Sequence, residues 1–155
     1  MRKTLFPFTL IITLMIAGCA TSSPMTTPAA TPTLPTIPDE WTIKMTHSGG
    51  IMGLMRSIDV SSDGNYTVTD ERTNKTATGK LSEDEIAALT KMVTGAENIA
   101  SGKPSGNCAD CFIYEIEIQI NGKKISTQLD DVSLPASGME DLVASLRSLI
   151  NSALK

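Results

Sequence analysis

Histidine is nearly absent from this chain, with one residue, His47, in 155. Zinc needs four ligands, and His47 with Cys108 and Cys111 falls short of that number, so no metal site is expected. A lone imidazole with no evident nucleophile beside it argues against a catalytic set. No acid/base pair of carboxylates stands out either, because Glu115 and Glu117 sit at alternate positions of a strand pattern, on its solvated face. Neither enzymatic activity nor a cofactor is therefore expected. Aromatic residues are 4% of the sequence, so a core must be built mainly from aliphatic side chains. No apolar stretch reaches the about 20 residues that a transmembrane helix needs.

The N-terminus carries the three parts of an export signal. Arg2 and Lys3 form a positive start, and Leu5 to Ile16 is an apolar run broken by Pro7 and two threonines. Small residues follow at Ala17 and Gly18. The segment Ile16-Ala17-Gly18-Cys19 resembles the lipobox of prokaryotic lipoproteins, where an aliphatic residue and two small ones precede the cysteine that receives a diacylglyceryl group. The resemblance implies a signal peptide over residues 1–18, a lipid on Cys19, and a protein held at the cell membrane or cell surface outside the cytoplasm. The competing reading is an ordinary signal peptide with a chance cysteine. Ala20, which follows Cys19, is not the aspartate of the inner-membrane retention signal.

Residues 20–38 are almost entirely Thr, Ser, Pro and Ala, with prolines at 24, 28, 32, 35 and 38. No periodic apolar face exists in this stretch, so it cannot contribute to a core and reads as disordered. Proline-rich chain favours an extended form, and these residues would reach roughly 60 Å as a stalk at ~3.1 Å each. The remainder, 39–155, is one domain of ordinary size. Removing Arg2 and Lys3 from the 13 basic residues leaves 11 against 17 acidic, a net charge of −6. There is no basic patch to hold nucleic acid.

Within that domain the patterning is antiparallel. Trp41, Ile43 and Met45 alternate with polar residues, and Leu54, Arg56, Ile58 and Val60 alternate with Met55, Ser57 and Asp59. A three-residue turn Ser62-Asp63-Gly64 sets Tyr66 opposite Val60 and Val68 opposite Ile58, keeping one face apolar, with Gly64 in the left-handed position. A further strand is expected near Thr76 to Leu81. Ser82-Glu83-Asp84-Glu85 reads as a capping box opening a helix with Ile86, Leu89, Met92 and Val93 on one face, flanked by a Leu81/Ile86 staple. Gly95 reads as its stop. Phe112 to Ile120 alternates strictly, and Asn121-Gly122 predicts a two-residue hairpin pairing Ile118 with Ile125, Ile116 with Thr127 and Tyr114 with Leu129. Ser137-Gly138-Met139-Glu140 reads as a second capping box, before a stripe of Met139, Leu142, Val143, Leu146, Leu149, Ile150 and Ala153. The expected fold is α+β: an antiparallel sheet of five to six strands with two helices packed on one face.

Two local motifs invite a chemical reading. Cys108-Ala109-Asp110-Cys111 precedes a strand and not a helix, so a structural disulfide is favoured over a redox site. Ser48-Gly49-Gly50-Ile51-Met52-Gly53 lacks the Lys-Ser or Lys-Thr of a phosphate loop, and reads as a wide turn whose glycines take positive φ. Ile51, Met52 and Met55 would then form an apolar surface for a partner, with Ser48, Gly49, Gly50, Ile51 and Met52 as candidate contact residues.

The segment His47 to Arg56 resembles the Ser-Gly-Gly-aromatic-small-Gly-aliphatic signature of emfourin-type domains, which inhibit protealysin-like, thermolysin-type zinc metallopeptidases. The order that follows is similar too: a strand, Leu81-Ser82-Glu83-Asp84-Glu85 with its helix, a loop, Phe112-Ile113-Tyr114, a hairpin and a C-terminal helix. The resemblance covers roughly residues 42 to 150. The chain departs from the pattern in Ile51, which replaces the aromatic, in an extra hairpin over 61–80, and in the CxxC before Phe112. The resemblance implies a small binding domain acting on a secreted metallopeptidase. The alternative is a surface structural or adhesion lipoprotein with no inhibitory role.

Overall fold

The computed structural model describes residues 40–96, 103–106 and 108–155. The export signal, Cys19 and the Thr/Pro segment lie outside the described residues.

Six strands form one antiparallel sheet: β1 (Trp41–Gly49), β2 (Leu54–Ser61), β3 (Asn65–Asp70), β4 (Lys75–Lys80), β5 (Phe112–Ile120) and β6 (Lys123–Asp130), in the spatial order β4-β3-β2-β1-β5-β6. Two helices, α1 (Glu83–Ala96) and α2 (Glu140–Ala153), complete the α+β fold. Every neighbouring pair is antiparallel, so β4 and β5 point the same way, and α1 lies on the connection between them.

The registers follow from turn chemistry. Gly64 has φ +86° and the β2–β3 pairs are Val60↔Tyr66 and Ile58↔Val68, as the three-residue turn requires. Asn121 and Gly122 both take positive φ, and the β5–β6 pairs are Ile118↔Ile125, Ile116↔Thr127 and Tyr114↔Leu129. One face of the sheet is thereby mainly apolar. Trp41, Ile43 and Met45 of β1 join Ile58, Val60, Val68, Tyr114, Ile116, Ile118 and Leu129 in a single buried cluster. Leu89, Val93 and Ala96 of α1 and Leu142, Val143, Leu146 and Ile150 of α2 belong to the same cluster. α2 packs on β2 and β4, while α1 packs on β5 and on α2. The buried indole of Trp41 donates to Thr90 Oγ1 at 3.0 Å, which satisfies its one polar atom.

The first capping box forms. Ser82 N donates to Glu85 Oε2 at 2.8 Å, and Glu85 N donates to Ser82 Oγ at 3.4 Å. Two expectations are corrected. Gly95 does not stop α1, because the helix runs on through Ala96, whose methyl is buried in the core. Ser137 does not box α2. Its hydroxyl accepts from Met139 N and donates to the Leu134 carbonyl, closing a 3-10 turn at Leu134–Ala136. Gly138 then turns at φ +75°, and Glu140 is already the first helical residue, two positions short of the N3 place from which a capping-box glutamate reaches back.

The opposite face of the sheet is polar. Thr76, Thr69, Ser57 and Thr46 lie side by side across four strands. Lys44–Asp59 and Lys124–Glu117 form ion pairs at 2.7 and 2.8 Å, and Gln128 donates to Glu115 at 2.8 Å. Glu115 and Glu117 therefore sit on this face, paired with neighbours. Among the described residues no helix is long and apolar enough to cross a membrane.

Candidate functional site: the loop end of the sheet

Strand direction brings four connections to one end of the sheet: residues 50–53 after β1, 71–74 after β3, the segment leading into β5, and residues 131–133 after β6. This end is where the large apolar side chains face solvent. Ile51 is 88% exposed, Met52 75%, Val132 60% and Met55 49%. These are the exposed large hydrophobic residues of the described chain, and none lies elsewhere. Exposed apolar side chains gathered at one end make that end the candidate binding surface.

The tip is held rigidly from behind. Gly53 N donates to Gly50 O at 2.9 Å, closing the turn, and Gly50 N donates to Cys111 O at 3.3 Å. Gly49 has φ +101°, and a Cβ there would lie 2.5 Å from the Cys111 carbonyl oxygen. Gly50 has φ +67°, and a Cβ there would lie 2.7 Å from the Phe112 ring. Only glycine permits the backbone to pass this closely over the start of β5. On the other flank, the Arg72 guanidinium donates to the Met52 carbonyl and Glu71 N donates to Met55 O at 3.0 Å. Cys108 and Cys111 are joined in a disulfide with Cα atoms 5.5 Å apart, immediately before Phe112.

Below the tip is an aromatic and charged support. His47, the last inward residue of β1, is 6% exposed. Its ring meets Phe112 edge-on at 4.7 Å between centroids and stacks on Tyr114 at 5.0 Å. Tyr114 donates its hydroxyl to Asp131 Oδ1 at 2.8 Å and accepts from Arg147 Nη1 at 3.3 Å. Asp131 Oδ2 accepts from Phe112 N at 2.8 Å. Burial first, and this aspartate second, push the Tyr114 phenol up to about 12. The neighbouring Asp130 collects Ser105 N and Oγ on one oxygen and Val132 N and Ser133 N on the other, at 2.6 to 3.1 Å. The Ser105 hydroxyl contributes most to holding its carboxyl far below the usual range. Arg56, also inward, pairs with Asp70 at 2.9 Å and reaches Asn151 of α2 at 3.3 Å.

His47 Nε2 is buried with no hydrogen-bond partner. Burial, then the nearby Arg147, lower its pKa to about 4, so it is neutral near pH 7. The imidazole thus packs as a neutral ring beneath the tip, edge-on to Phe112 and stacked on Tyr114. Among the described residues no group of three His, Cys, Asp or Glu side chains could hold a metal ion.

The sequence-derived contact residues thus converge, but not equally. Ile51 and Met52 face solvent, Gly49 and Gly50 shape the backbone, and Ser48 is half-buried at the end of β1. Val132, Arg72 and Asp131 were not foreseen. Arg72 lies in the connection after β3, and Asp131 and Val132 in the one after β6, and only the strand order shows that these loops share one end of the sheet. No protein-family model matches this chain, and no curated protein matches it.

Proposed function

We propose that this chain is a lipid-anchored binding protein, displayed outside the cytoplasm, whose rigid apolar tip docks onto a protein partner. The observation that carries the reading is the exposure of Ile51 and Met52 on a turn fixed from both flanks. Solvent exposure of two large apolar side chains costs free energy in the isolated chain, on the order of 1.5–3 kcal/mol each, and binding recovers it. A flexible loop could hide such residues, and this one is held too tightly to do so.

The resemblance of His47 to Arg56 to emfourin-type domains names the partner class: a secreted thermolysin- or protealysin-like metallopeptidase. The tip suits a cleft, because it projects beyond the sheet and carries no charged side chain between Ser48 and Met55. The chain enters the domain at Trp41, the end of β1 opposite the tip. A lipid on Cys19 and an extended segment over 20–38 would leave that far end free for the partner. The test is slowing of peptide hydrolysis when the purified protein meets a panel of thermolysin-type enzymes. No slowing at micromolar protein would end the inhibitor reading.

A second reading is a surface structural or adhesion lipoprotein. The row Thr76, Thr69, Ser57 and Thr46 on the helix-free face favours it, since a flat hydroxyl-rich face suits a polar polymer. Capture from envelope extract separates the two: recovery of a peptidase supports the first, and recovery of envelope polymer supports the second.

A further inference from the structure

The sequence contains two Asn-X-Thr triplets with X not proline, Asn65-Tyr66-Thr67 and Asn74-Lys75-Thr76. This triplet is the acceptor for N-linked glycans in exported proteins, where the threonine hydroxyl two residues on is needed for transfer. Asn65 opens β3 and Asn74 lies in the turn that follows it, and the structure separates them sharply.

Asn65 is occupied. Its side-chain Nδ2 donates to Asp63 Oδ2 at 2.6 Å, its backbone N donates to Asp63 Oδ1 at 3.1 Å, and its carbonyl accepts from Ser61 Oγ at 3.3 Å. Thr67 is half-buried on the sheet. Attack by Asn65 would require dismantling the turn that sets the β2–β3 register. Asn74 is free. It is exposed at the corner of the β3–β4 turn with φ +52°, and among the described residues its carboxamide has no partner. Lys75 and Thr76 are exposed as well, and they begin β4, the edge strand. An enzyme can reach this triplet from outside without disturbing a ladder that has a strand on both sides.

We infer that Asn74 is an N-glycosylation site and that Asn65 is not. The inference rests on the extracytoplasmic reading above. The co-reactant is a lipid-linked oligosaccharide. The Asn74 Nδ2 forms a bond to the sugar C1, the C1–oxygen bond to the lipid phosphate breaks, the phosphate leaves on the lipid, and the amide proton passes to the transferase. The modified turn adjoins the tip, because Arg72 and Glu71 of the same connection bond to the Met52 and Met55 carbonyls. A glycan at Asn74 therefore stands on the β4 side of the tip. It leaves the side toward Val132, beyond β1 and β5, as the approach for a partner. It also covers the start of an edge strand that could otherwise template pairing with another chain.

The test is mass spectrometry of the protein isolated from the membranes of its own cells, reading the peptide over residues 72–83, the peptide containing Asn65, and the mature N-terminus together. The expected result is a glycan on Asn74, none on Asn65, loss of the glycan in Asn74→Gln and Thr76→Ala, and its retention in Thr76→Ser. A bare Asn74 on a chain whose Cys19 is lipidated overturns the inference and leaves the export reading standing. A bare Asn74 on a chain still beginning at Met1 overturns both. A glycan on Asn65 with Asn74 bare overturns the structural argument that separates the two.

Discussion

Acid should destabilise this domain through one residue. His47 is the only histidine in the chain, so a titration between pH 7 and pH 5 has a single side chain to report on. Its pKa is about 4 in the fold against 6.5 unfolded, because the ring is buried against Phe112 and Tyr114 with Arg147 and Arg56 adding positive charge. Between those two values the unfolded chain binds a proton that the folded chain does not, so stability rises with pH. The contribution is fully present above 6.5 and lost as pH falls toward about 4. At 1.36 kcal/mol per unit the full effect is about 3 kcal/mol, of which about 2 kcal/mol falls between pH 7 and pH 5. The carboxylates with lowered pKa, Asp63, Asp70, Glu85 and Asp130, have unfolded values of 3.8 to 4.5, below that window, and add only a little to the slope. Urea denaturation at both pH values, on wild type and His47→Leu, measures it. Wild type should lose about 2 kcal/mol and His47→Leu should lose almost none. An equal loss in both proteins, or no loss in either, would refute the assignment of the support cluster to a neutral buried imidazole.

Other substitutions probe the same frame. Gly49→Ala places a methyl against the Cys111 carbonyl at an unfavourable φ, and should cost about 2 kcal/mol in urea denaturation. Ser82→Ala removes one side of the reciprocal cap on α1 and should cost about 1 kcal/mol, read as a lower thermal midpoint. Cys19→Ser should shift the protein from the membrane pellet to the soluble or shed fraction, since lipid is the proposed anchor and each buried CH₂ contributes about 0.8 kcal/mol. A Cys19→Ser protein that stays with the membrane would contradict lipid anchoring.

The parts of the fold governed by local chemistry were legible in the sequence. Asn121-Gly122 and Ser62-Asp63-Gly64 dictate their registers because period-2 patterning punishes any slip by exposing every apolar side chain. The capping box at Ser82 was legible for the same reason, since its two hydrogen bonds are local. The box at Ser137 misleads because the residue types recur in a 3-10 turn, where Ser137 serves Met139 N and the Leu134 carbonyl instead. Gly95 misleads because burial of Ala96 outweighs the helix cost of glycine, about 1 kcal/mol. For the site, the glycines and the apolar pair Ile51 and Met52 carry their own signal. Val132, Arg72 and Asp131 carry none, because their roles depend on which loops the strand order brings together. His47 continues the inward alternation of Trp41, Ile43 and Met45, a pattern that marks it as a core residue more directly than its chemistry suggests.

Ile51 and Met52 are the residues through which the tip is proposed to dock onto a peptidase. The direct measurement is the inhibition constant of the purified protein against thermolysin-type peptidases, wild type beside Ile51→Asp and Met52→Asp. Both side chains are exposed, so the variants should fold as wild type does. Wild type should slow peptide hydrolysis, and each aspartate should weaken inhibition by at least about tenfold, the loss of about 1.4 kcal/mol expected when a buried contact residue becomes charged. No inhibition by wild type, or inhibition undiminished in both variants, would contradict docking through these two side chains.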